Sequence, residues 1–292
     1  MSAAPWDQYW RSGQKHSCFS RGEPVAHRAF WNSFFAACPR GARVLDLACG
    51  AGAVASIARD AARGFEITGA DFSTEIAPVE GIRFVQGARL ENLPLPDASF
   101  DVVVSQYGFE YADAAAATPE LVRVLAPGGE VALIVHAQEG PPVQDILGRL
   151  ARARRMLAAD GLADLVLRLG EALAVGAPAD DLLAAAEAAR AVEAKADHDP
   201  TTRRVLGILS DALLGRRMFG GAYVRDTARG INDELQQYAT RIAAMTEAAL
   251  SEPDAAALAL RLQSLGLAPE PVVAAHADNG DLAGWLVRAR RF

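Results

Sequence analysis

Lysine is nearly absent from this 292-residue chain: Lys15 and Lys195 are the only two, and arginine supplies the rest of the positive charge. Acidic residues outnumber basic ones, 36 to 29, for a formal net charge of −7. A nucleic-acid partner asks for a basic face, so this balance argues against one. Cysteine is scarce too. Cys18, Cys38 and Cys49 fit no zinc spacing, and an odd count fits no disulfide framework; free thiols in a reducing cytoplasm are expected. No segment stays apolar for the roughly 20 residues that a bilayer span needs. The opening MSAAPWDQYW lacks the basic and apolar regions of a signal peptide. A soluble, cytoplasmic protein without a membrane partner is the expectation.

What is abundant is core material, with 51 % hydrophobic residues. An aromatic opening (Trp6, Tyr9, Trp10) precedes a helix predicted over Pro24–Cys38. From Arg43 onward, short apolar runs alternate with helical stretches: strands are predicted at Arg43–Leu47, Phe65–Ala70, Ile82–Gln86, Phe100–Ser105 and Glu130–Val135. These runs are continuously apolar, the pattern of a parallel sheet covered on both faces, and so of an α/β fold. Residues 140–251 carry no strand pattern. Helices are predicted there at Val143–Ala159, Leu162–Val175, Asp180–Ala196, Thr201–Leu214 and Ile231–Leu250, and Gly215–Tyr223 interrupts them as a loop facing a pocket. A helix at Glu252–Leu265 and two strands, Pro271–His276 and Ala283–Arg290, follow, the strands joined by an Asp278-Asn279-Gly280 hairpin turn.

Three segments carry chemistry. Val44-Leu45-Asp46-Leu47-Ala48-Cys49-Gly50-Ala51-Gly52 runs a strand into a tight turn that opens a helix. Its glycines let a ligand touch the backbone, and Asp46 can accept from an ammonium group or a bridging water. Asp71 ends the next strand, where a carboxylate can accept from both ribose hydroxyls; its other reading is a helix N-cap. Phe72 can stack on an adenine ring. Leu93-Pro94-Leu95-Pro96-Asp97-Ala98-Ser99-Phe100-Asp101 feeds a buried strand that delivers Gln106 and Tyr107 to the sheet's carboxyl edge. A structural turn, Pro127-Gly128-Gly129, launches the fifth strand.

In this order and spacing, these elements resemble the class I S-adenosylmethionine (SAM)-dependent methyltransferases, most closely the small-molecule branch typified by the ubiquinone/menaquinone-biosynthesis enzymes. The resemblance covers about Arg43–Val135 and, more loosely, the two closing strands. It implies a Rossmann-like, seven-stranded, mostly parallel sheet with helices on both faces and a large helical insertion after the fifth strand. It divides the chain into an N-terminal helical lid (1–40), a SAM-binding core (41–139 and 252–292) and a helical cap (140–251). It also implies a SAM site made by Asp46, Ala48, Gly50 and Gly52, with Asp71 on the ribose, Phe72 beside the adenine, and Gln106, Tyr9 and Trp10 nearby.

Two departures stand out. The family's first glycine is Ala48, compatible with the turn if its φ is negative. The acid usual after the third strand is missing from Gln86-Gly87-Ala88-Arg89-Leu90-Glu91-Asn92. Adenine is then expected to rest on backbone near Arg89 and Leu90, unless Glu91 reaches back.

A general base, where the acceptor needs one, is expected where strands end: His136 first, then Tyr107, Glu110 and Tyr111, with His16 and Tyr223 behind. The bland alternative makes His136 a polar residue that only shapes the pocket. The cap is read as an acceptor pocket or a homodimer contact, and the acceptor as a small, partly hydrophobic molecule. The rival readings are an NAD(P)-dependent oxidoreductase, whose third glycine would fall at Ala53, a SAM-binding protein without catalysis, and a SAM enzyme of other chemistry.

Overall fold

A computed structural model describes residues 4–11, 13, 25–196 and 199–292; His16, Lys15 and Cys18 lie outside them. Its contacts form two units, one of Met1–Gln144 with Ala244–Phe292 and one of Asp145–Ala243.

In the first unit, α1 (Ala4–Arg11) and α2 (Val25–Ala37) precede β1 (Arg43–Leu47), α3 (Ala53–Asp60), β2 (Glu66–Asp71), β3 (Arg83–Gln86) and β4 (Phe100–Gln106). A 3-10 turn at Phe109–Tyr111, α4 (Ala114–Val124) and β5 (Leu125–His136) follow. Strand order is β3-β2-β1-β4-β5, all parallel. Successive residues of β1 explain the continuous apolar runs: Val44 joins a core with Trp31, Phe34 and Phe35 of α2 and Val54 and Ile57 of α3. Leu45 and Leu47 join the opposite core, with Leu121 and Val124 of α4. Both faces are covered, so neighbouring strand residues such as Val44 and Leu45 are apolar alike. Full burial of one such side chain is worth about 1.5–3 kcal/mol.

The second unit holds most of α5 (Pro141–Leu157), then α6 (Leu162–Ala174), α7 (Asp180–Glu193) and most of α8 (Pro200–Ala248). Arg155 of α5 forms a two-pronged ion pair with Glu193 of α7. The predicted interruption at Gly215–Tyr223 is a single-residue break rather than a loop: Gly220 (φ 79°, ψ 172°) leaves helical geometry and divides α8 into two helices that meet at a kink. A side chain at Gly221 would meet the backbone of Leu173 in α6 at 2.3 Å, so glycine there lets α6 and α8 approach.

Back in the first unit, α9 (Glu252–Ser264) starts at a Ser251–Asp254 capping box. It adds Ala255, Leu258 and Leu262 to the core of α4. The chain closes with β6 (Leu267–Pro269), β7 (Val273–His276) and β8 (Leu282–Arg291). β8 pairs antiparallel with β5 on one side and with both β6 and β7 on the other. Seven strand positions are therefore filled by eight strands, because the prolines Pro269 and Pro271 break the outer edge in two. β5 begins earlier than predicted: Pro127-Gly128-Gly129 is a bulge inside the strand, where the register with β4 shifts. The predicted hairpin turn is present, with Ala277 N–H donating to Asp281 O and Gly280 at φ 85°. Asp278 also caps α2, accepting from the N–H groups of Val25 and Ala26. Among the described residues no helix is long and apolar enough to cross a membrane.

Candidate functional site

The site lies where β1 meets β4. Chain order reverses there, and α/β sheets open a crevice at their strands' carboxyl ends. Asp46, near the end of β1, is buried, and its Oδ2 accepts from Ala55 N–H in the first turn of α3 at 3.0 Å. Asp71, the last residue of β2, reaches across to the turn. Its Oδ2 accepts from Gly50 N–H and its Oδ1 from Ser73 N–H, both at 2.8 Å. The helix N-cap alternative is not what forms, since Asp71 ties the glycine turn to the segment after β2.

The turn has left-handed geometry at alternate residues: Ala48 at φ 51°, Gly50 at 49° and Gly52 at 76°. Ala48 thus departs from the negative φ expected of it. An L-residue there costs roughly 1–2 kcal/mol, and the surroundings hold it. Gly108 packs so close that a β-carbon on it would come within 2.5 Å of Ala48 Cβ and 3.0 Å of its carbonyl oxygen.

Burial pushes the Asp46 carboxyl up to about 7, the Ala55 N–H pulls it back, and Asp71 nearby raises it further. Burial raises Asp71 as well, against the pull of the Ser73 and Gly50 N–H groups. Two desolvated carboxylates beside a glycine turn are suited to a ligand that brings positive charge and hydroxyl donors. Between its ordinary 3.8 and about 7, the folded chain keeps on Asp46 a proton that the unfolded chain has lost. The contribution of Asp46 to stability is therefore greatest below that window and falls as pH rises through it. Binding a cation at Asp46 favours the ionised form. Affinity for a cationic ligand seated there should therefore be about tenfold weaker at pH 6 than at pH 8, with a proton released at the lower pH. Calorimetry in buffers of different ionisation enthalpy measures both, and a flat profile would remove Asp46 from the cation's surroundings.

α1 lies directly on this turn. A side chain at Gly50 would meet the Trp10 ring at 2.4 Å, so Trp10 rests on the Gly50 backbone. Asp7 Oδ1 accepts from Ser73 Oγ–H and Thr74 N–H, and Arg11 pairs with Glu75. Trp6 stacks on Trp10 and meets Tyr111 edge-on, while Tyr9 packs edge-on against Trp6 and Trp10.

The second cluster sits at the ends of β4 and β5. His136 is buried, with Nδ1 2.6 Å from Glu110 Oε1, and the same oxygen accepts from His136 N–H at 3.0 Å. The Tyr107 ring lies 4.3 Å from the His136 ring, and its hydroxyl is 3.4 Å from His27 Nε2. Ser105 places Glu110: its Oγ–H donates to Leu47 O and its oxygen accepts from Phe109 N–H, fixing the 3-10 turn to the end of β1.

The predicted residues Asp46, Ala48, Gly50, Gly52, Asp71 and Trp10 thus come together, and His136, Tyr107 and Glu110 form a second group. Gln106 turns to α2, where its side-chain oxygen accepts from the Trp31 indole N–H. Leu90 contributes its side chain to the core. Arg89 lies over the Phe72 ring. Glu91 does not replace the missing acid freely, since its Oε1 accepts from Asp113 N–H. Tyr223 is on α8 in the other unit, ring to ring with Phe219. Reading the sequence missed Ser105, Gly108, Asp7 and His27. Of these, only a serine at the end of an apolar strand stood out as a signal.

This architecture, a parallel sheet with an acid-flanked glycine turn at its switch point, defines a Rossmann-like domain for a nucleoside-bearing cofactor. Residues 45–133 match the family described as "Methyltransferase domain". A demethylmenaquinone methyltransferase of Thermus thermophilus is 38 % identical over 120 residues, covering 38 % of this chain and 53 % of that protein. Its counterpart in Deinococcus radiodurans is 37 % identical over 120 residues, covering 38 % and 48 %. A malonyl-[acyl-carrier protein] O-methyltransferase of Enterobacter lignolyticus is 37 % identical over 110 residues, covering 35 % and 42 %. The chain spans about half the length of the curated relatives it matches. The oxidoreductase reading is not favoured beside this match.

Proposed function

We propose that the chain transfers a methyl group from SAM to a small-molecule acceptor, leaving S-adenosylhomocysteine (SAH). The observation that carries this reading is the pair of buried carboxylates around the glycine turn, Asp71 bonded to Gly50 and Asp46 to α3. When bound, SAM supplies an electrophilic methyl on a sulfonium. The chain's residues hold and orient: Asp71 offers its remaining acceptor sites to the ribose, Phe72 flanks the base, Gly50 and Gly52 leave room along the backbone, and Asp46 faces the cationic end.

Glu110 holds His136 with Nδ1 as donor, which leaves Nε2 as the basic nitrogen. His136 then takes the proton from a hydroxyl or an acidic carbon of the acceptor, and Tyr107 walls the same space. The likeness to demethylmenaquinone methyltransferases and the net charge of −7 favour a partly hydrophobic, hydroxylated acceptor over nucleic acid. Residues 140–251 are proposed as a helical cap or as the contact that joins two copies. Calorimetric titration with SAM, SAH and NADH tests the reading. Micromolar SAM and SAH without NADH is the expected result, and binding of NADH alone would overturn it.

α1 acts as a lid in this reading. Trp10 must leave Gly50 before a cofactor can touch that backbone, and Trp6 against Tyr111 shields the His136 cluster with the same helix. Stopped-flow tryptophan fluorescence should show SAM entering Trp10→Ala at least threefold faster than the unaltered chain. Equal rates would place α1 outside the entry route.

A further inference from the structure

The base end of this cleft presents donors where the amino group of adenine would need acceptors. Arg89 places its guanidinium 4.9 Å from the centre of the Phe72 ring. The carboxylates described around this corner are engaged. Asp71 holds Gly50 and Ser73, Asp7 holds Ser73 and Thr74, and Glu75 pairs with Arg11. Glu91 accepts from Asp113 N–H and lies 3.8 Å from Arg89 Nε, which steadies the guanidinium. The nearby backbone N–H groups of Gly87 and Ala88 are spent on Ser73 O and Asp71 O. The side chain of Arg89 is 55 % exposed, so its guanidinium is open to solvent.

We propose that Arg89 reads the edge of the purine, and that this base subsite accepts a 6-oxopurine at least as well as adenine. The inference rests on the SAM reading above. A guanidinium offers five donors and no acceptor. The amino group of adenine sets N–H against N–H there, leaving only a ring nitrogen to accept. A 6-oxopurine replaces that amino group with a carbonyl, and an arginine fork matches O6 and N7 together, as it does on guanine. The Phe72 ring beneath keeps the guanidinium in the plane of use through cation–π contact. A carboxylate at position 89 would have the opposite preference.

The test compares SAH with S-inosyl-homocysteine, its 6-oxopurine analogue, by calorimetry on the full chain and on Arg89→Glu. The unaltered chain should bind the 6-oxo compound within threefold of SAH or more tightly, and Arg89→Glu should prefer SAH by at least tenfold. Circular dichroism checks that the variant, altered at an exposed side chain, is folded. A tenfold or greater preference of the unaltered chain for SAH overturns the proposal, as does a preference that Arg89→Glu leaves unchanged. Absence of binding by either compound overturns the cofactor reading itself, and the base assignment with it.

Discussion

Replacing Asp71 with alanine should weaken binding of SAM and of SAH equally, by at least tenfold, in a chain that stays folded. The carboxylate has two duties. It accepts from Gly50 N–H and Ser73 N–H at 2.8 Å each, so it sets the shape of the turn. Each of its oxygens keeps a further acceptor site, and these suit the two ribose hydroxyls. A hydrogen bond to a charged group is worth about 1.5–3 kcal/mol, and each 1.4 kcal/mol is a factor of about ten in affinity. The ribose is common to SAM and SAH, so the two losses should match. Asp71→Asn sharpens the result, because an amide NH2 must then face one of the two N–H groups, and the turn distorts without a cavity. Calorimetry gives the affinities and thermal melts the fold. Unchanged affinity in Asp71→Ala would take the ribose away from β2.

How much of this was legible beforehand follows from range. The glycine turn, Asp46 and Asp71 are local features: a strand, a tight turn and a helix within a few residues fix them, and their spacing shows in the chain. The continuous apolar runs of β1, β4 and β5 reported a sheet covered on both faces, which α2, α3, α4 and α9 provide. What stayed hidden depends on contacts far apart in sequence. Ser105 bonds Leu47 O, Asp7 bonds Ser73 and Thr74, and Gln106 turns to Trp31. No periodicity encodes such pairs. At Gly215–Tyr223 the glycines signalled a break, which Gly220 makes, but not its brevity, nor that Gly221 is there to admit α6. The split of the outer edge into β6 and β7 was visible only in hindsight, through Pro269 and Pro271.

Glu110 and His136 make the sharpest claim about chemistry. His136→Ala should lower turnover by about a hundredfold or more, the low end of what a positioned general base contributes, while SAM affinity changes less than threefold. Glu110→Gln keeps an oxygen to accept from the His136 N–H groups but removes the charge that favours a protonated imidazole. It should lower turnover less, and shift the acidic limb of the pH–rate profile downward, because an imidazole without its carboxylate holds a proton more weakly. The double variant His136→Ala/Glu110→Gln should be no slower than His136→Ala alone, since a positioning residue has nothing left to position. Glu110→Ala is a poor probe: it strands the buried His136 N–H and Nδ1, each at a cost of about 1–3 kcal/mol, and loses fold and function together. SAH release with a panel of phenol and quinol acceptors supplies the rates. Additive losses in the double variant would mean that the two residues act separately. Full turnover in His136→Ala would leave the pair as a structural tie between the 3-10 turn and the end of β5, with methyl transfer resting on orientation alone.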